Sequence, residues 1–149
     1  MKSILVAIDL GEASKRALDQ ARTLAACFEG SLHLLCVVQN PFSLPWAPAA
    51  PHEELTLLLG QMQHDVSAHL EQLLTPDERR TFCAKLVTRV GKPADEILAY
   101  AKDNAITLIV MGRDGHGSPM AAAAAIGSVA HAVTREAPCP VLLVPATND

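Results

Sequence analysis

The 149-residue sequence predicts an open, doubly wound α/β fold of the Rossmann-like kind, with five parallel strands in the order 3-2-1-4-5 and four helices. Three observations point there. Half of the residues are apolar but only 3% are aromatic, so Leu, Val, Ile and Ala must build the core. That mix suits a parallel sheet covered on both faces. Short apolar runs of strand length alternate with longer stretches of helical period. One such run, 106–111, opens directly into Gly112, Gly115 and Gly117 ahead of a helical stretch. Strand, glycine-rich loop, helix is the order in which α/β proteins cradle anions. The length suits a single domain over 1–149, and no internal repeat divides it.

Residues 3–8 (Ser-Ile-Leu-Val-Ala-Ile) read as a buried first strand ending at Asp9, and 10–13 as a turn. Ala17, Leu18, Ala21, Leu24, Ala25 and Phe28 recur at helical spacing until Gly30 stops the first helix. Residues 31–38 are the second strand, and this β-α-β unit requires a right-handed crossover. Between 39 and 51, four prolines and the single tryptophan, Trp46, break all periodicity. The stretch reads as a long irregular loop, a common contact surface. Leu55, Leu58, Leu59, Met62, Val66, Leu70 and Leu73 mark a long helix over 53–74 with a solvated opposite face, ended by Thr75-Pro76-Asp77. Residues 81–90 alternate as a third strand nearer an edge. Gly91-Lys92-Pro93 turns into a third helix running to 102, with Pro93 at its first position. Residues 106–111 form the fourth strand and 119–135 the fourth helix, with Ser118 as N-cap and Pro119 following it. The fifth strand is 141–144.

Composition excludes several functions. The net charge is −4 and no basic run occurs, so nucleic acid is not an expected partner. No apolar segment reaches the ~20 residues that span a bilayer. Met1-Lys2-Ser3 runs straight into a strand without a signal-peptide core, so a cytoplasmic location is expected. Cys27, Cys36, Cys83 and Cys139 form no Cys-x-x-Cys pair and read as reduced thiols. His64 and His69 are five apart, which does not place them on one helix face, and no metal site is expected.

In such sheets ligands bind beyond the carboxyl ends of the strands, where the strand order reverses. Strands 1 and 4 meet at that point, so Asp9 and Gly112 face one crevice. An ionised Asp9 is an acceptor, suited to a base amino group or a ribose hydroxyl, or else to capping the turn that follows it. A glycine inside a helix costs about 1 kcal/mol against Ala. Gly127 therefore signals either a helix that begins there or a close approach by backbone or ligand, with Ser128 adding a hydroxyl. There is no Gly-x-Gly-x-x-Gly after strand 1, no P-loop, and no Gly-x-Ser-x-Gly elbow around Ser118.

Together these residues resemble the universal stress protein family over nearly the whole chain. The likeness lies in Ile4-Leu5-Val6-Ala7-Ile8-Asp9, Val90-Gly91-Lys92-Pro93-Ala94-Asp95-Glu96-Ile97, Leu108-Ile109-Val110-Met111-Gly112 and Ala137-Pro138-Cys139-Pro140-Val141-Leu142-Leu143-Val144. Nucleotide-binding members carry Gly-x2-Gly-x9-Gly-Ser/Thr after strand 4. The resemblance implies that Asp9 and Val37 contact adenosine, and that Met111, Gly112, Gly115, Gly117, Gly127, Ser128 and Val129 hold ribose and phosphates. It likewise implies an antiparallel homodimer through strand Val141–Val144. Gly112-x2-Gly115 matches the first half of the motif and Gly117-x9-Gly127-Ser128 the second, but the halves are two residues out of phase. Asp114 adds a negative charge inside this longer loop, Gly11 replaces a common serine, and Ala130 stands where some members have a second hydroxyl.

The leading expectation is a regulatory, stress-type protein binding ATP or a related adenine nucleotide, with Mg2+ as companion ion. No dedicated catalytic residue is found, so it is at most a slow ATPase. The alternative is a dimeric interaction module of the same fold that uses the Pro-rich loop and the 53–74 helix, without nucleotide. An adenylyl-transferring or ATP-pyrophosphatase enzyme would need further motifs.

Overall fold

A computed structural model describes residues 2–9, 11–113 and 127–146. The elements run β1 (Ser3–Ile8), α1 (Glu12–Phe28), β2 (Ser31–Val38), α2 (His52–Leu73), α3 (Pro76–Thr81), β3 (Lys85–Val90), α4 (Pro93–Asp103), β4 (Leu108–Gly112), α5 (Ser128–Glu136) and β5 (Val141–Val144). The five strands form one all-parallel sheet in the order β3-β2-β1-β4-β5, as the sequence predicts.

Strand alternation sorts the core into two layers. Ile4, Val6, Ile8, Leu32, Leu34 and Cys36 join Ala17, Leu18, Ala21, Leu70 and Leu74 under α1 and α2. Leu5, Leu35, Ile109 and Met111 join Ile97, Tyr100 and Val133 under α4 and α5. Each such Leu, Ile or Val contributes about 1.5–3 kcal/mol by leaving water.

Four local expectations are corrected. Five α-helices occur among the described residues, not four, because Thr75-Pro76-Asp77 starts a helix instead of only ending one. Thr75 Oγ1 accepts from the Glu78 N–H at 3.1 Å, and the Glu78 carboxylate accepts from the Thr75 N–H at 3.0 Å. This capping box, with Pro76 opening the helix, makes α3 and delays β3 from 81 to Lys85. The helix read over 119–135 does not run through Gly127, whose ψ of 151° is extended; α5 starts at Ser128. The residue that turns left-handed after α1 is Glu29 (φ 52°), not Gly30. Gly30 is instead a close approach, since a Cβ there would sit 3.2 Å from the Lys2 carbonyl. The 39–51 loop contains two single 3-10 turns, Pro41–Ser43 and Ala47–Ala49, which bury Pro41 and Ala47 and leave Phe42 and Trp46 exposed.

Candidate functional site

The site begins where the sheet divides. β1 pairs with β2 up to Ile8↔Cys36, and β4 pairs with β5 up to Gly112↔Val144. β1 and β4 pair only from Ile4↔Leu108 to Val6↔Val110, two residues short of both strand ends. A crevice therefore opens at the carboxyl edge between the two central strands, the switch point at which α/β sheets take ligands. The N-terminal turn of α1 reaches into it: a Cβ on Gly112 would lie 2.7 Å from the Ala13 Cβ. Gly112 is thus demanded by packing alone, before any ligand is considered.

Asp9 lies half-buried at the β1 lip. Its Oδ1 accepts from the Gly11 N–H at 2.6 Å, and its own N–H donates to Ser14 Oγ at 2.9 Å. The turn-capping role is therefore present. A carboxylate offers about four acceptor positions, and Gly11 uses one. Ser14, which is 2% exposed, was given no role by sequence reasoning; a serine in the first turn of α1, five residues after Asp9, was the available signal. Burial, then the Asp9 carboxylate, push the Cys36 thiol up to about 11, so Cys36 stays protonated.

On the other lip, the Gly127 N–H donates to the Arg113 carbonyl at 2.7 Å, and the Arg113 N–H donates to the Val144 carbonyl at 2.8 Å. These two bonds pin the start of α5 to the ends of β4 and β5. Gly127 is the N-cap and the Gly127 carbonyl accepts the first helical bond, from the His131 N–H at 2.9 Å. The first amides of α5, including those of Ser128 and Val129, have no acceptor within the helix. Among the described residues, no side chain caps this end and no acidic residue occupies its first turn, so its first amides and their partial positive charge face the rim.

Of the residues singled out in the sequence, Val37, Met111 and Val129 meet in the cluster beneath α4 and α5. Gly112, Gly127 and exposed Ser128 stand at the rim above it, with Asp9 across the crevice. Gly115, Gly117 and Asp114 lie outside the described residues. The phase shift in the motif falls there too, within 114–126, and the Gly127–Arg113 bond joins the two described residues that flank it. Among the described residues, no group of three His, Cys, Asp or Glu side chains could hold a metal ion.

A family model for the universal stress protein family matches residues 1–145. The chain belongs to that family. Universal stress protein YxiE of Bacillus subtilis is 31% identical over 145 residues, covering 95% of this chain and 97% of its own. Universal stress protein UspA from Lactobacillus plantarum superposes with a TM-score of 0.71 at 26% identity, covering 96% and 97% of the two chains. Two further solved members carry nucleotides. One is in complex with cAMP (TM-score 0.66, 20% identity, 98% of each chain). The other, from Arabidopsis thaliana, has AMP bound (TM-score 0.64, 16% identity, 100% of this chain and 94% of that one). These two share the fold; the nucleotides are theirs. Among the described residues of this family member, no helix is long and apolar enough to cross a membrane.

Proposed function

We propose that this universal stress protein binds an adenine nucleotide, ATP or a related adenosine phosphate, in the crevice between β1 and β4. The observation that carries the reading is the Gly127–Arg113 hydrogen bond. It sets a helix N-terminus, without a side-chain cap among the described residues, beside the dividing strands and across from the Asp9 lip. Phosphates would meet the amides of Ser128 and Val129, with Gly112, Gly115 and Gly117 alongside. Asp9 and Val37 would take the adenosine, and Met111 would floor the ribose. The cAMP and AMP complexes of family members on this fold support the ligand class. Mg2+ would enter with the phosphates, because the described side chains offer no cluster of ligands to it.

In this reading the chain is a single-domain cytoplasmic regulator. Its β5 strand, hydrogen-bonded only to β4 among the described strands, forms an antiparallel homodimer through Val141–Val144. It supplies binding groups and no nucleophile, so ATP hydrolysis is at most slow. Isothermal titration with ATP and Mg2+ tests the proposal, with heat and a raised Tm expected. Gly127→Val, which crowds the phosphate end, and Asp9→Asn, which keeps an acceptor for Gly11, should each weaken binding at least tenfold in a folded protein. Titration without heat or thermal shift would overturn it. A second reading rests on Trp46 and Leu57, which are 50% and 74% exposed: a partner-binding module whose affinity survives both substitutions but not Trp46→Ala.

A further inference from the structure

A buried polar pair lies on the α4 side of the sheet. His33 of β2 is 6% exposed, and its Nδ1 stands 2.7 Å from the hydroxyl of Tyr100 on α4, itself 4% exposed. The rings meet edge to face with centroids 5.6 Å apart. Between the ends of α4, this contact puts a hydrogen bond inside an otherwise apolar layer of Leu5, Leu35, Ile97, Ala101 and Ile109.

A neutral imidazole suits that place. The tyrosine hydroxyl can donate or accept, so it satisfies either neutral tautomer at Nδ1. An imidazolium does not suit it. β3 brings Lys85, the register partner of His33, and Arg89 on the same face, whose guanidinium lies 5.0 Å from the Tyr100 ring centroid. α4 brings Tyr100 and Glu96, and the Glu96 carboxylate is engaged with Arg89 at 3.5 Å. β1 brings only Leu5, the apolar partner of His33 on the other side. α5 adds Ala130 and Val133 to the layer, while α1 and α2 cover the opposite face. A cation is thus the register partner of His33, a second lies over the ring of its hydrogen-bond partner, and the carboxylate nearby is already in use. Burial first, then Lys85, hold the imidazole pKa below its ordinary value.

We propose that His33 and Tyr100 form an acid-release latch: a proton taken up by His33 cannot be enclosed between sheet and helix, so α4 parts from β2 and β3 while the central strands stay paired. The sign follows from linkage. Above about pH 6.5 the ring is neutral whether α4 is closed or open, and nothing changes. Below that value the open form binds the proton and the closed form does not. The closed-to-open ratio then falls up to tenfold per pH unit, until the depressed pKa of the closed form is reached.

Hydrogen exchange of the wild-type chain between about pH 8 and pH 5 tests this, with protection corrected for intrinsic exchange. Protection at 97–103 should fall up to tenfold per unit below about pH 6.5, while β1 and β4 amides hold theirs. His33→Leu combined with Tyr100→Phe removes the pair without stranding a hydroxyl, and its α4 protection should be flat. NMR titration of the His33 ring in the wild-type chain covers the case in which that variant does not fold. The ring should titrate below its ordinary value, in step with the loss at α4. Constant α4 protection down to pH 5, or α4 and β1 losing protection together, overturns the latch.

Discussion

α1 and α2 cover the same face of the sheet in opposite ways. α1 has 17 residues and buries six of them: Ala13, Ser14, Ala17, Leu18, Ala21 and Ala25. Four of the six are alanines, which let the helix axis lie close over β1 and β4 and bring Ala13 against Gly112. α2 has 22 residues and fully buries only Leu55 and Leu70. Beyond buried Leu70, its far end gains polar ties: Arg22 of α1 donates to the Leu73 carbonyl at 2.5 Å and pairs with Glu78 of the following α3 at 2.9 Å. Small residues thus clamp the element that frames the crevice, while a longer helix rides on the β3 side with most of its surface in water. Length does not measure how firmly a helix belongs to a fold.

The comparison breaks most readily at Leu18. Leu18→Ala removes a side chain 3% exposed and should cost about 2–5 kcal/mol in urea unfolding, whereas Leu57→Ala on α2, 74% exposed, should stay within about 0.5 kcal/mol. Comparable losses at both positions would refute the contrast. Next comes Gly112→Ala. The added methyl meets Ala13, so about 1–3 kcal/mol of stability should be lost even with no nucleotide present. Ala13→Gly in the same chain should recover part of it; no loss in the single variant would mean that α1 is not clamped there.

The smallest effect belongs to the α2–α3 junction. The backbone bond from Thr75 is the main cause that holds the Glu78 carboxyl below the ordinary carboxylate range; burial comes second and pushes the other way, and Arg22 then adds to the lowering. A depressed carboxylate stabilises the fold above its unfolded pKa, and that contribution is lost as pH falls through the folded value. Glu78→Gln should therefore narrow the stability gap between about pH 6 and pH 3. Thr75→Ala should cost about 1 kcal/mol at neutral pH.

Four of the five strands were legible in the sequence because buried parallel strands are written as largely apolar runs, whereas β3 showed only through the alternation of 81–90. Residues 3–8, 31–38 and 141–144 coincide with β1, β2 and β5. α3 was not legible as a helix: its six residues are too few to show a period, and its signal is the Thr75/Glu78 box, which depends on side chains reaching back to backbone. Asp9, Gly112 and Gly127 could be picked out as residue types that need a reason. Their reasons could not be read, since Ala13 beneath Gly112 and Ser14 beneath Asp9 are neighbours created by folding. His33 looked like any strand residue until the fold set Tyr100 of α4 against it, 67 positions away.

The single bond from the Gly127 amide to the Arg113 carbonyl has an engineering consequence. Because it joins the two described residues that flank 114–126, the end of β4 and the start of α5 are held to each other by a direct bond. Doubling a flexible closed segment adds only about 0.6 kcal/mol of closure entropy. The two extra residues that disturb the glycine spacing are therefore cheap for the scaffold. The same socket should accept a grafted peptide or reporter tag without shifting the strands on either side of it.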